Sequence, residues 1–182
     1  ETLGAYERLV RDGKVRAIGA SNLDAKRLGE ALATSRAKRL PRYETMQPHY
    51  NLLVRDEFEG PLQALCVEER LGVIPYYSLA SGFLTGKYRS EADFGKSVRG
   101  QGMKKYLDAR GASVLSALET VSVRVGATMA QVALAWLMAK PGVTAPIASA
   151  TSVAQLEELM GAAALVLDAE SMRELDGAGA TP

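Results

Sequence analysis

Cysteine is almost missing from this chain: Cys66 is the only one in 182 residues. No internal disulfide framework can form, and a reducing, cytoplasmic location is expected. An excess of one charge is also missing. Lys and Arg number 22 against 21 Asp and Glu, for a net charge of +1. That balance leaves no electrostatic footprint for nucleic acid or an anionic membrane. Aromatics make up 6% of the chain, and no basic stripe interleaves with them. No apolar run reaches the roughly 18 residues of a spanning helix, and no signal-peptide pattern opens the sequence. The hydrophobic content, 47%, fits one globular domain with a real core.

The chain holds an alternation of short β-rich runs and helical patterns. The runs are Val15–Ile18, Tyr43–Met46, Val73–Tyr76 and Thr144–Ile147. The first three start about 30 residues apart, the size of one βαβ unit. A helix is expected after the first, with Asp24 as N-cap, and another over 61–70 with Pro61 in its first turn. The third unit is longer, with a polar, Gly-rich loop over 89–102 and helices near 111–125 and 128–139. Further helices are expected over 153–163 and 169–175, the last capped by Asp168. Cys66 sits in the helical pattern Leu62–Val67 and reads as a core thiol. Leu3, Tyr6, Leu9 and Val10 make the chain helical from its outset with no Met before it. It therefore reads as a fragment cut at a helix start, with upstream sequence missing.

Such alternation gives a parallel sheet with helices outside and ligands at the C-terminal strand ends. Four units fit half of an eight-stranded barrel or a small open doubly wound sheet, and spacing does not choose between them. The strand ends read Gly19-Ala20-Ser21-Asn22, Met46-Gln47-Pro48-His49-Tyr50-Asn51, Tyr76-Tyr77-Ser78-Leu79 and Ala148-Ser149-Ala150-Thr151-Ser152. Hydroxyl and carboxamide groups donate and accept together, which a primary carboxamide ligand such as nicotinamide needs. Thr151 and Ser152 precede a helix N-terminus, where free N–H groups favour phosphate. In 72–88 an apolar strand opens into Ser78, Ser81 and Gly82 and closes on Lys87. There the aromatic pair can stack on a planar ring, and Gly and Ser let backbone N–H groups approach phosphate. Singly, each of these residues is also explained as an Asx turn or an N-cap.

These segments resemble the aldo-keto reductase superfamily. The run from Gly13 to Asn22 resembles its GKVRxIGxSN signature, and Gln47–Leu53 its QxxYNLL segment. The run Gly72–Tyr88 resembles GVIPYSPLASGxLTGKY, and Pro146–Glu158 the last-strand segment with QLEEN. The resemblance covers essentially the whole chain, in order. It implies a (β/α)8 TIM barrel of which residues 1–182 are the C-terminal, cofactor-binding half: strands five to eight, four parallel strands with outer helices. It implies NADP(H), with NAD(H) as an alternative, and a small-molecule carbonyl substrate in the intact enzyme. Ser21, Asn22 and Gln47 match positions that bind the carboxamide, and Tyr76 the ring-stacking aromatic. Leu79, Ala80 and Ser81 match positions along the pyrophosphate, which Lys87 and Arg99 clasp. Thr151, Gln155 and Glu158 match the adenosine end.

Several positions depart from the family pattern. Tyr77 and Ser78 stand where Ser and Pro are usual. Thr151 and Ser152 stand where many members carry Lys or Arg for the 2′-phosphate. Leu159 replaces an Asn. The family's Asp, Tyr, Lys and His tetrad comes from the first four strands, so no catalytic residue is expected in this chain, and His49 reads as a packing residue. Alone, the chain is expected to be inactive and to self-associate or to pair with a missing N-terminal half. The alternative is a non-catalytic nicotinamide-nucleotide-binding or regulatory module, or a bare inactive fragment.

Overall fold

A computed structural model describes residues 1–97 and 99–180. Helix α1 (Thr2–Arg11) leads into β1 (Ile18–Ser21), α2 (Ala25–Lys38), β2 (Tyr43–Gln47), α3 (Pro61–Glu68) and β3 (Gly72–Val73). Then come α4 (Ala109–Val125), α5 (Met129–Met138), α6 (Val153–Gly161) and α7 (Ala169–Ala178). The loop between β3 and α4 carries short 3₁₀ turns, Ala80–Thr85, Glu91–Lys96 and Gly100–Tyr106.

The sheet is parallel in the order β1-β2-β3, with Ser21 opposite Gln47 and Thr45 opposite Gly72. The first strand begins three residues later than its β-rich run suggests. The N–H groups of Lys14 and Val15 both bond back to Leu9 O, which ties them to the end of α1. Prolines shape the other end of the sheet. Pro75 has no N–H, so β3 stops at Val73 and continues only through bonds from Ile74 N to Met46 O and Tyr76 N to Pro48 O. The fourth run does lie parallel beside β3, through a bridge between Val73 and Val143. The bonds Thr144 N to Val73 O and Ile147 N to Pro75 O extend it. Pro146 interrupts its donors, so this segment forms no regular ladder of its own.

Helix starts follow their caps. Asp24, Thr128, Ser152 and Asp168 each accept the backbone N–H of the residue three positions on, which satisfies donors that a helix start leaves free. The core lies between sheet and helices. Leu28, Leu32, Met46, Cys66, Val73, Leu118, Trp136 and Leu137 are each at most 1% exposed, and burying such a side chain contributes about 1.5–3 kcal/mol. Among the described residues no single helix is long and apolar enough to cross a membrane.

Candidate functional site

Alternation along the strands sorts the side chains. Ile18, Ala20, Met46 and Val73 turn toward the helices and are buried, while Gly19, Ser21, Thr45 and Gln47 turn to the other, open face. Two of the open-face positions end at the C-terminal rim. There Ser21 Oγ donates to Gln47 O at 2.8 Å and Asn22 Nδ2 donates to Ser21 Oγ at 3.1 Å. The Tyr76 hydroxyl donates to Asn22 Oδ1 at 2.9 Å. Four residues singled out from sequence, drawn from three strand ends, therefore form one hydrogen-bonded row.

The backbone bends sharply around this row. Asn22 (φ 56°), Tyr77 (53°), Ala80 (47°) and Ser81 (58°) adopt left-handed conformations, and Gly82 follows at 99°. Such φ values cost a residue with a Cβ about 1–3 kcal/mol each and collect at functional sites. Asn51 anchors the bend. It is 1% exposed, donates from Nδ2 to Tyr77 O at 3.0 Å, and accepts the N–H groups of Leu53 and Val54. Its part was not separable from a turn residue in the sequence, since both functions use the same side-chain chemistry.

A second group surrounds Gly82. The Lys87 ammonium lies 5.1 Å from the Tyr88 ring centroid, and a Cβ on Gly82 would meet Lys87 Nζ at 3.5 Å. Leu79 is half-buried and Ser81 partly exposed, whereas Ala80 is wholly buried and its N–H bonds to Tyr77 O. Of these, Lys87 is the exposed one. The loop beyond is fastened at its root. Tyr88 and Ser97 share a 2.5 Å hydroxyl contact, and Lys96 Nζ donates to Lys87 O. Lys96 and the N–H groups of Arg89 and Ser90 hold the Asp93 carboxyl far below the usual range. Arg99 stands exposed at the start of the last 3₁₀ turn.

The third group lies at α6. Gln155 Oε1 accepts both the N–H (2.8 Å) and the hydroxyl (2.9 Å) of Thr151, so the two are pre-arranged as a pair. Glu158 is joined instead to α5, its carbonyl accepting from Gln131 Nε2 at 2.9 Å.

His49 is largely buried, as its reading as a packing residue implies. Its ring stacks on Tyr76 with centroids 5.2 Å apart and planes 15° from parallel. Nδ1 lies 3.5 Å from Glu57 Oε1, while Nε2 is buried without a partner among the described residues. Burial lowers the imidazole pKa against the opposing pull of Glu57, and Lys105 lowers it further. A cleft of about 240 Å³ opens beside it, lined by Asn22, Asp24, Pro48, His49 and Glu57 among others. The alternation that sends Gln47 to the open face also sends His49 there, and that was the available signal. Cys66 is fully buried, and burial pushes its thiol up to about 11.

The family model described as "Aldo/keto reductase family" matches residues 1–180. An uncharacterized oxidoreductase, YrpG of Bacillus subtilis, is 34% identical over 173 residues, which is 94% of this chain and 51% of that protein. The aldo-keto reductase AMT2 of Alternaria alternata is 31% identical over 97% of this chain and 47% of its own length. The crystal structure of a thermostable aldo-keto reductase, Tm1743, bound to the inhibitor epalrestat superposes with a TM-score of 0.74 at 30% identity. It covers 98% of this chain, which covers 54% of it. The chain thus spans about half the length of the relatives it matches, consistent with the C-terminal half of a (β/α)8 barrel.

Proposed function

We propose that this chain, which belongs to the aldo/keto reductase family, is the cofactor-holding half of a carbonyl reductase that uses NADP(H), with NAD(H) as the alternative nucleotide. The observation that carries this reading is the row Tyr76–Asn22–Ser21–Gln47 at the strand ends. Its donor set suits the group, because a primary carboxamide offers N–H donors and a carbonyl acceptor at once, and Ser, Asn and Gln side chains answer both.

In this reading Ser21, Asn22 and Gln47 hold the carboxamide, and Tyr76 presents a ring face whose tilt is set by its hydroxyl bond to Asn22. Leu79, Ala80 and Ser81 line the diphosphate path, the last two in left-handed backbone conformations, and Lys87 and Arg99 supply positive charge. Thr151, Gln155 and Glu158 take the adenosine end, where the α6 N-terminus favours an anion. When bound, the nicotinamide supplies the hydride for carbonyl reduction. This chain's residues orient it; the proton donor and the groups that tune it belong to an N-terminal half. That half would also pair with the free edge of β1 and cover Val153, Leu156 and Met160, which α6 leaves exposed. Self-association would serve the same edges. The substrate is a small carbonyl compound and the setting cytoplasmic.

The test compares the isolated 182-residue chain with the protein expressed from its whole reading frame. NADPH and NADH binding are followed by the nucleotides' own fluorescence, and NADPH oxidation is followed with an added aldehyde. The whole protein is expected to bind and reduce. The isolated chain is expected to show no aldehyde-dependent oxidation, since general acid catalysis alone contributes roughly 10²–10⁴ in rate. Absence of saturable nucleotide binding in the whole protein would sink the reading. Carbonyl reduction by the isolated chain would sink the assignment of the proton donor elsewhere.

A further inference from the structure

We propose that His49 is a positioning residue for the nicotinamide, backing Tyr76 on the face turned away from the cofactor so that only one face of the phenol is left for a ring ligand. This rests on the reading of Tyr76 as the stacking residue. A phenol on a single Cα–Cβ hinge needs more than one support to hold its plane, and Tyr76 has three. Its hydroxyl is tied to Asn22 at 2.9 Å. The Tyr77 ring meets it edge-on, with centroids 5.2 Å apart and planes 65° from parallel. The imidazole of His49 lies flat against it.

His49 is itself held. Its backbone pairs with Tyr76 in a parallel bridge, adjoining the bond from Tyr76 N to Pro48 O. Its ring is braced by the edge of Tyr77, with centroids 5.5 Å apart, and by Glu57 near Nδ1. Among the described residues the buried Nε2 has no partner, which costs stability that an apolar ring of the same shape would not. A flat aromatic surface at this point, rather than a polar contact, is therefore what the side chain contributes to its neighbour. Because burial favours the neutral imidazole, the stack carries little charge near neutral pH.

The experiment uses the protein from its whole reading frame and two probes. NADPH carries the nicotinamide; 2′-phospho-adenosine diphosphoribose is the same molecule without that ring. Calorimetric Kd values are compared for the unaltered protein, His49→Ala, His49→Leu and His49→Phe. An aromatic pair is lost in the first two, so NADPH affinity should fall roughly three- to ten-fold. Affinity for the ringless probe should stay within about two-fold, which also shows that the fold is kept. His49→Phe restores an aromatic face and should restore NADPH binding. His49→Leu keeps the bulk without the flat ring, so it separates stacking from filling if His49→Ala fails to fold. Equal loss for both probes, or NADPH binding unchanged in His49→Leu, overturns the role given to His49. If the unaltered protein binds NADPH no better than the ringless probe, the stacking role of Tyr76 falls first and that of His49 with it.

Discussion

Toward the helices the three strands present Ile18, Ala20, Met46 and Val73, none more than 8% exposed; on the opposite face stand Gly19, Ser21, Thr45, Gln47 and Gly72, exposed or half-buried. The helix side is dense and cross-linked. Trp136 is fully buried and its indole N–H donates to Asp176 Oδ1 at 2.8 Å. Lys140 binds the same carboxylate, Arg55 bonds to Asp176 O, and Tyr50 donates to Glu59 at 2.6 Å. The open face is small and polar instead. A Cβ on Gly19 would come within 2.3 Å of Thr45 Oγ1, so small residues there bring neighbouring strands close without filling the space above. One side holds the chain together by packing, and the other is small, polar and open.

The largest expected effect tests that division. Trp136→Ala should cost about 3–5 kcal/mol by opening a large cavity, read as a lower urea midpoint at unchanged slope. Thr144→Ala, on the exposed segment beside β3, should cost less than about 0.5 kcal/mol. Comparable losses for the two would remove the distinction between the faces. Trp136→Phe separates bulk from the indole bond to Asp176, whose loss alone is expected to cost about 1–2 kcal/mol.

Legibility in the sequence followed the same division. The β-rich runs, the βα spacing and the caps Asp24 and Asp168 are local signals, and they located nearly every element. The strand boundaries depended on distant bonds. Lys14 and Val15 were claimed by Leu9 O, and Pro75 and Pro146 broke ladders that residue type alone would extend. At the candidate site the residue types at Ser21, Asn22, Gln47 and Tyr76 stood out, and the structure joins them in one row. The supports behind them did not stand out. Asn51 and His49 act through a carbonyl and a ring brought from 26 and 27 residues away, and no local pattern encodes that meeting.

An intermediate effect belongs to the open side. Thr151 is exposed, with its N–H and hydroxyl bonded to Gln155. An arginine at this exposed position keeps the backbone bond to Gln155. If the adenosine end lies at α6, Thr151→Arg adds a charge-assisted bond to the 2′-phosphate of about 1.5–3 kcal/mol. NADPH should then bind roughly ten- to hundred-fold tighter while NADH changes little, with an unaltered urea midpoint. An unchanged ratio of the two Kd values moves the 2′-phosphate away from Thr151. A shifted midpoint instead would show that this side carries stability after all.

The smallest effect lies on the helix side and depends on pH. Cys66 is fully buried on α3, and its thiol titrates near 11 in the folded chain against an ordinary 9.0. Between those values the folded state keeps a proton that the unfolded state has released, so stability must fall as pH rises through this window and is unaffected below it. The thiol's share reaches up to about 2 kcal/mol by the top of the window. Tyr50 acts in the same direction, because burial and then the Glu59 hydrogen bond raise its pKa as well; the slope is therefore shared. Cys66→Ala removes only the thiol's part. Urea midpoints measured from about pH 7 to pH 11 should fall less steeply in that variant than in the unaltered protein. Ser21→Ala, on the open face, should leave the slope as it was. Equal slopes with and without the thiol would mean that Cys66 meets water in the folded state, and that the helix side is less tightly closed than its packing implies.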